Sequence, residues 1–185
     1  MISLIFSSIG TTRIMRMYFK YDENYWYYYP NAVNERFVLG QEENDFELDG
    51  YHIRKISDLT KAEIKEDLCE QINVWNGLFQ EIHDPQVDIT SWQSIFQSPV
   101  LLNKLIIIQD EYNGELYLGL IRKACKRYVQ IDSYDADGVL SEEPVRIPYS
   151  SITHVAWDTR YTHNWQQYME SKGLLIRLPD RFPQM

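Results

Sequence analysis

Ile56-Ser57-Asp58-Leu59-Thr60, at residues 56–60, and Tyr149-Ser150-Ser151-Ile152-Thr153, at residues 149–153, begin two stretches that share one apolar pattern. Apolar side chains recur at equal distances from Thr60 and from Thr153. They are Ala62, Ile64, Leu68, Ile72 and Trp75 in the first stretch, and Val155, Trp157, Tyr161, Trp165 and Tyr168 in the second. A pattern kept over about twenty positions predicts one supersecondary unit that is used twice.

The sequence around the two stretches predicts short strands joined by tight turns, with a helix after each set of strands. The turn signals are Asp22-Glu23-Asn24, Asp49-Gly50, Asn113-Gly114 and Asp137-Gly138. The helical periods predict two apolar helix faces. The first carries Leu68, Ile72 and Trp75, and the second, which is expected to face inward, carries Tyr161, Trp165, Tyr168 and Met169. We therefore expect a mainly β fold of two similar small barrels in tandem, each followed by a helix.

The expected organisation has four parts. A first barrel spans 14–78, and a linker with a short helix spans 79–103. A second barrel with its helix spans 104–173, and a tail spans 174–185. The 14 tyrosines help such small barrels, because each aromatic side chain can bury a large area.

The second half resembles a known family. The residues that carry the resemblance are Tyr117-Leu118-Gly119, Asp135-Ala136-Asp137-Gly138, Ile147 to Thr153, and Arg160-Tyr161. Over residues 90–170 the chain resembles a family of uncharacterised bacterial proteins with Sm-like domains. The resemblance implies Sm-like or SH3-like barrels and no catalytic residues. Many Sm-like proteins form rings and bind RNA, but no basic Arg-Gly or Lys-Gly loop is found in this chain.

The charge of the chain favours a protein partner over nucleic acid. The formal net charge is −9, and such a field repels phosphate backbones. The acidic stretch 42–49 is expected to be a solvated hairpin, and it is also a candidate docking surface for a basic protein. The candidate partner-binding residues are Glu42, Glu43, Asp45 and Glu47.

Candidate metal sites have simpler structural explanations. Ser133, Asp135, Asp137 and Gly138 imitate the start of a calcium-binding loop. Pro144 stands where that loop needs a bidentate glutamate, so a polar hairpin turn is expected. His154, Asp158 and His163 match no standard zinc spacing, so His154 is expected to face solvent on a strand and His163 to lie on the outer face of a helix.

Candidate nucleophiles are equally weak. Cys69 and Cys125 are expected to be free, mostly buried thiols, and the acidic neighbours of Cys69 oppose thiolate formation. Ser57, Ser150 and Ser151 are expected to make turn hydrogen bonds. The sequence therefore predicts no catalytic residue, no metal and no cofactor.

The remaining predictions concern location and role. No run approaches the ~18 apolar residues of a membrane span, and the first nine residues do not form a signal peptide, so a cytoplasmic protein is expected. The predicted role is a non-catalytic protein–protein interaction module, for example an immunity protein that neutralises a basic toxin. An Sm-like RNA-binding protein and a hydrolase with an unrecognised site are the alternatives. A homo-oligomer is left open.

Overall fold

Ten antiparallel strands form one open sheet in the computed structural model, which describes residues 1–175. The strands are β1 (Met15–Phe19), β2 (Tyr25–Val33), β3 (Phe37–Asn44), β4 (Glu47–Lys55), β5 (Leu59–Ile64), β6 (Ile106–Asp110), β7 (Glu115–Ala124), β8 (Tyr128–Tyr134), β9 (Val145–Pro148) and β10 (His154–Trp157). The helices are α1 (Ile2–Ser8), α2 (Leu68–Asn76), α3 (Trp92–Phe96) and α4 (Arg160–Lys172), with 3₁₀ helices at Ile56–Asp58, Leu78–Glu81 and Pro99–Leu101. The prediction of a mainly β chain with short helices is confirmed.

The strand order divides the sheet into two halves with one plan. The first half is ordered β5-β1-β2-β3-β4, and the second half is ordered β10-β6-β7-β8-β9. In each half the fifth strand in the sequence therefore pairs with the first. The halves are joined where β4 pairs with β10, so hydrogen bonding is continuous across the sheet. The prediction of two closed barrels stays a prediction.

The two reference threonines occupy matching places in this plan. The Thr60 hydroxyl donates to the carbonyl oxygen of Tyr18 at 3.0 Å. The Thr153 hydroxyl donates to the carbonyl oxygen of Gln109, also at 3.0 Å. The next pairs keep the same offsets, with Ala62 opposite Met17 and Ile64 opposite Met15 in one half, and Val155 opposite Ile108 and Trp157 opposite Ile106 in the other. Both halves thus share their register at the first and fifth strands.

The largest apolar cluster lies across the joint between the halves. Trp157 on β10 is fully buried and stacks on Tyr51 of β4 at 5.3 Å between ring centroids. The segment 79–103 contributes to the same core, because Trp92 of α3 packs edge-on against Phe37 at 4.7 Å. This segment therefore contributes side chains to the core, while many of its other residues are exposed.

The hairpin turn that the sequence predicts at Asp49-Gly50 lies earlier in the chain. Asp49-Gly50 is inside β4, and the β3–β4 hairpin instead turns at Asp45 and Phe46, which both have positive φ. Two successive left-handed residues match the right-handed twist of paired strands. Gly50 also has positive φ, and a Cβ there would lie 2.6 Å from the carbonyl oxygen of Trp157. Glycine is needed at this position because β10 approaches so closely.

Helix α4 is only partly oriented as its period predicts. Met169 is buried, and Trp165 packs partly buried beside it in a cluster with Leu118 and Tyr134. Tyr161 and Tyr168 are 49% and 60% exposed, so the prediction that they face inward is wrong. The α1 helix was not predicted, and it packs Ile5 against β1 and β2. The predicted tail lies outside the described residues except for Leu174 and Leu175.

Candidate functional site

The acidic hairpin separates into two buried and two exposed carboxylates. Asp45 and Glu47 are exposed at its tip, but Glu42 and Glu43 are each only 6% exposed. Glu43 pairs with the buried ammonium of Lys65 at 3.4 Å. The expectation of a wholly solvated hairpin is therefore wrong, because alternate residues of β3 do not point to solvent. Of the four candidate residues, only Asp45 and Glu47 are placed to touch a partner.

A chain of buried polar groups runs from β3 to the joint between the halves. Glu42 Oε2 lies 3.4 Å from His52 Nε2, and His52 Nδ1 lies 2.9 Å from His154 Nε2. His154 Nδ1 contacts the side-chain amide of Gln109, and His52 Nε2 contacts the carbonyl oxygen of Asp49 at 2.9 Å. His154 is buried, so the expectation that it faces solvent is wrong.

Burial controls the protonation of these buried polar groups. It raises the pKa of Glu42 to about 8, and nearby Asp49 adds to the rise. It lowers the pKa of His52 to about 4 and that of His154 well below its ordinary value, with Arg54 opposing charge on both. Both imidazoles are therefore neutral near pH 7. With neutral rings, His52 Nε2 can donate to the Asp49 carbonyl oxygen, and His154 Nε2 can then donate to His52 Nδ1.

Arg54 forms a second buried network beside the histidines. Its Nη1 donates to Asp22 Oδ2 at 2.9 Å and to Glu111 Oε1 at 3.0 Å. Its guanidinium also lies over the rings of Phe19 and Trp26. The space lined by Arg54, His52 and neighbouring side chains is too small to hold a water molecule. These groups therefore tie the strands together and are not open to a substrate.

Helix α2 presents its apolar side to solvent. Leu68 is 68% exposed and Trp75 is 85% exposed, and these two residues share a helix face with Ile72. The one fully buried residue of α2 is Asn73, and neither polar atom of its side chain has a hydrogen-bond partner among the described residues. The apolar face that the sequence predicts for this helix is therefore largely exposed, with Ile72 partly buried. A helix with large exposed apolar side chains such as Leu68 and Trp75 is typical of a binding surface.

The exposed face of α2 and the hairpin tip border the same short helix. Both α2 and β4 contact the 3₁₀ helix Leu78–Glu81. Leu48, next to the tip, joins Leu78 and Phe79 in one apolar cluster. We define the α2–hairpin surface by its exposed apolar residues Phe46, Leu68 and Trp75 and its exposed acids Asp45, Glu47, Glu66 and Glu81.

The α2–hairpin surface is drawn from segments without cationic side chains. Residues 66–103 contain six Asp or Glu and no Lys or Arg. Residues 37–53 contain five Asp or Glu and again no Lys or Arg. Arg160 approaches from α4 and lies 3.6 Å from Glu47, so it offsets part of this charge at the hairpin. The surface thus combines an apolar centre with an acidic border.

The other sequence candidates are separated in the structure. His154 is buried, Asp158 pairs with Lys104, and His163 is exposed on α4. Asp135 accepts hydrogen bonds from the backbone of Asp137 and Val139, as in a polar turn. Within residues 1–175 no group of three His, Cys, Asp or Glu side chains is arranged to hold a metal ion.

The candidate nucleophiles are two free thiols and the serines of the two matching turns. Cys69 and Cys125 are free thiols, and both are partly buried rather than mostly buried. Ser57 and Ser151 make local hydrogen bonds, to Asp58 and to the Pro148 carbonyl oxygen, which is the expected turn role. No helix among the described residues is long and apolar enough to cross a membrane.

Sequence reasoning missed the burial of His154 because both faces of its strand are covered. Alternation of apolar and polar residues along a strand identifies its buried face only when the other face of the strand is exposed to solvent. Both faces of β10 are covered, because all four of its residues are buried. The absence of Lys and Arg from 66–103 was the available signal for the α2–hairpin surface.

Comparison of the chain with protein-family models, with curated proteins and with solved structures found no match in any of the three.

Proposed function

We propose that the protein is a non-catalytic interaction module that binds a basic protein through the α2–hairpin surface. The observation that carries this proposal is the 85% exposure of Trp75 on a helix whose apolar face has no partner within the described residues. Exposed tryptophan is among the side chains most often found to dominate binding energy. The acidic border favours a positively charged partner, since complementary charge speeds association and excludes acidic competitors.

An immunity protein that captures a basic toxin fits this combination. Such a partner supplies lysines and arginines for Asp45, Glu47, Glu66 and Glu81, and an apolar pocket for Trp75. The two unpaired cysteines suit a reducing cytoplasm. The same strand order and register in both halves support a tandem of Sm-like units as the scaffold. RNA binding has less support, because the α2–hairpin surface is bordered by acids and the formal net charge is −9.

Site-specific photo-crosslinking tests the proposal. A photoreactive phenylalanine analogue replaces Trp75 in one protein and Tyr112 in a matched control, since Tyr112 is an aromatic side chain that is 77% exposed elsewhere. We expect position 75 to capture one basic protein in the native host and position 112 to capture none of it.

The captured protein is then purified for binding measurements. We expect Trp75→Ala to weaken its binding by at least about tenfold, which is about 1.4 kcal/mol. Asp45→Lys with Glu66→Lys is expected to slow association and to reduce its salt dependence. Reversal of Glu42 or Glu43 is unsuitable, because both carboxyl groups are buried. Equal capture at positions 75 and 112, capture of an acidic protein, or unchanged affinity after Trp75→Ala would each refute the proposal.

A further inference from the structure

A second feature of the molecule is a cleft on the side of the joint where all three parts of the chain meet. Its volume is ≈ 490 Å³, which lies within the range of about 300–1,000 Å³ that is usual for small-molecule sites. Arg36 and Lys55 come from the first half, Trp92 from the connecting segment, and Tyr149 and Ser150 from the second half.

The two cations of this cleft have no acidic partner among the described residues. Lys55 Nζ donates to the backbone carbonyl oxygen of Ser150 at 3.3 Å. Arg36 Nη1 donates to the backbone carbonyl oxygen of Thr90 at 3.0 Å. Glu35 also lines the cleft, but it forms an ion pair with neither. Donors therefore remain free on both side chains, because an ammonium group has three and a guanidinium group has five.

Lys55 is the more unusual of the two because it is partly buried. Burial lowers the pKa of its ammonium group, and the neighbouring ammonium of Lys20 lowers it further, while Asp58 and Asp110 oppose these effects. Those carboxylates are already bonded elsewhere, Asp58 to Lys20 at 2.6 Å and Asp110 to Asn113 at 2.7 Å. An anion in the cleft would favour the charged form of Lys55 directly.

We propose that this cleft binds a small organic anion whose phosphate or carboxylate group lies between Lys55 and Arg36. A guanidinium group can hold either anion through two parallel hydrogen bonds, and an ammonium group adds a point charge. Trp92 packs against Phe37 and Phe96, so the wall of the cleft is aromatic and rigid. Such a wall suits a ligand with a flat apolar part. The site is separate from the α2–hairpin surface, because the two share no residue.

Phenyl phosphate, benzoate and phenol are suitable probes, because they share a ring and differ in the anionic group. Binding is followed by backbone amide shifts in nuclear magnetic resonance and by calorimetry on the full chain. We expect phenyl phosphate or benzoate to shift residues 55–57 and 149–151 with saturation, and phenol to produce no such shifts. The stronger of the two anions identifies the natural group as phosphate or carboxylate.

Two lysine variants make the test specific. Lys55→Met keeps most of the apolar stem and is expected to weaken anion binding at least about tenfold, or about 1.4 kcal/mol. Lys61→Met removes an exposed lysine that pairs with Glu63, and it is expected to leave binding unchanged. Arg36→Gln provides a second variant if Lys55→Met fails to fold. Binding of phenol equal to that of the anions, anion shifts spread over the surface lysines, or unchanged affinity in folded Lys55→Met and Arg36→Gln would overturn the proposal.

Discussion

Glu42 and His52 are neighbours that respond to pH in opposite directions. The folded chain keeps a proton on Glu42 up to a pKa of about 8, whereas an unfolded chain releases it near 4.5. The folded chain keeps His52 neutral down to a pKa of about 4, whereas an unfolded chain protonates it near 6.5. Stability is therefore lost through Glu42 as pH rises from 4.5 to 8, and through His52 as pH falls from 6.5 to 4.

Between about pH 4.5 and pH 6.5 these two slopes cancel, and with His154 as a third titrating group the network is expected to be most stable near pH 6.5. His154 adds to the acid side, because burial lowers its pKa as well. Each proton contributes at most about 1.4 kcal/mol per pH unit, so Glu42 alone removes about 2 kcal/mol between pH 6.5 and pH 8. Urea denaturation at several pH values measures this profile.

Glu42→Gln keeps the shape of the protonated acid but cannot ionise. We expect its free energy of unfolding to stay level between pH 6.5 and pH 8, because the variant has no proton to lose there. The exposed Glu115→Gln is the control and should keep the wild-type profile. A Glu42→Gln profile identical to that of the wild type would mean that Glu42 is already ionised in the folded protein.

At the scale of the element, α2 and α4 show what a helical period can establish. The spacing of Leu68, Ile72 and Trp75 correctly indicates a helix, and so does the spacing of Trp165 and Met169. The spacing of apolar residues cannot identify which surface covers the apolar face of a helix, because the covering residues come from distant parts of the chain. This is why the existence of both helices could be predicted and the exposure of Trp75 could not.

Asn73 allows the energetic cost of the contact between α2 and the protein beneath it to be measured. The side chain is fully buried with both polar atoms unpaired, and each such group carries a desolvation cost. We expect Asn73→Leu to raise the free energy of unfolding by about 1–3 kcal/mol. Asn76→Leu, at the exposed end of the same helix, is the control and should change it by less than about 0.5 kcal/mol. Loss of stability in Asn73→Leu would show that the amide has a partner such as a bound water.

At the scale of the whole molecule, the pairing of β4 with β10 makes one sheet from two halves. Four residues of β10 pair with four of β4, and the Tyr51–Trp157 stack lies on the same pair of strands. The buried histidines bridge these strands as well. The two halves are therefore expected to unfold together.

Gly50→Ala tests this joint against a matched glycine. Gly50 and Gly114 have similar positive φ values, 75° and 70°, but only at Gly50 would a Cβ meet backbone atoms of β10 and the residues after it. We expect Gly114→Ala to lower the free energy of unfolding by about 1 kcal/mol, because alanine is strained at a positive φ. Gly50→Ala should lower the free energy of unfolding by about 1–3 kcal/mol more than Gly114→Ala does, because its Cβ overpacks the joint. Fluorescence and circular dichroism should report one coincident transition for both variants, and separate transitions would show that the halves unfold independently.

The position of β10 also has a consequence for synthesis of the chain. His52 leaves the ribosome 102 residues ahead of its partner His154, so one edge of β4 stays unpaired until β10 has been synthesised. The first half cannot complete its central contacts while it is still a nascent chain, whatever the stability of its own strands. Docking of the two halves thus waits for the synthesis of β10, and until then β4 is a site where a molecular chaperone can bind.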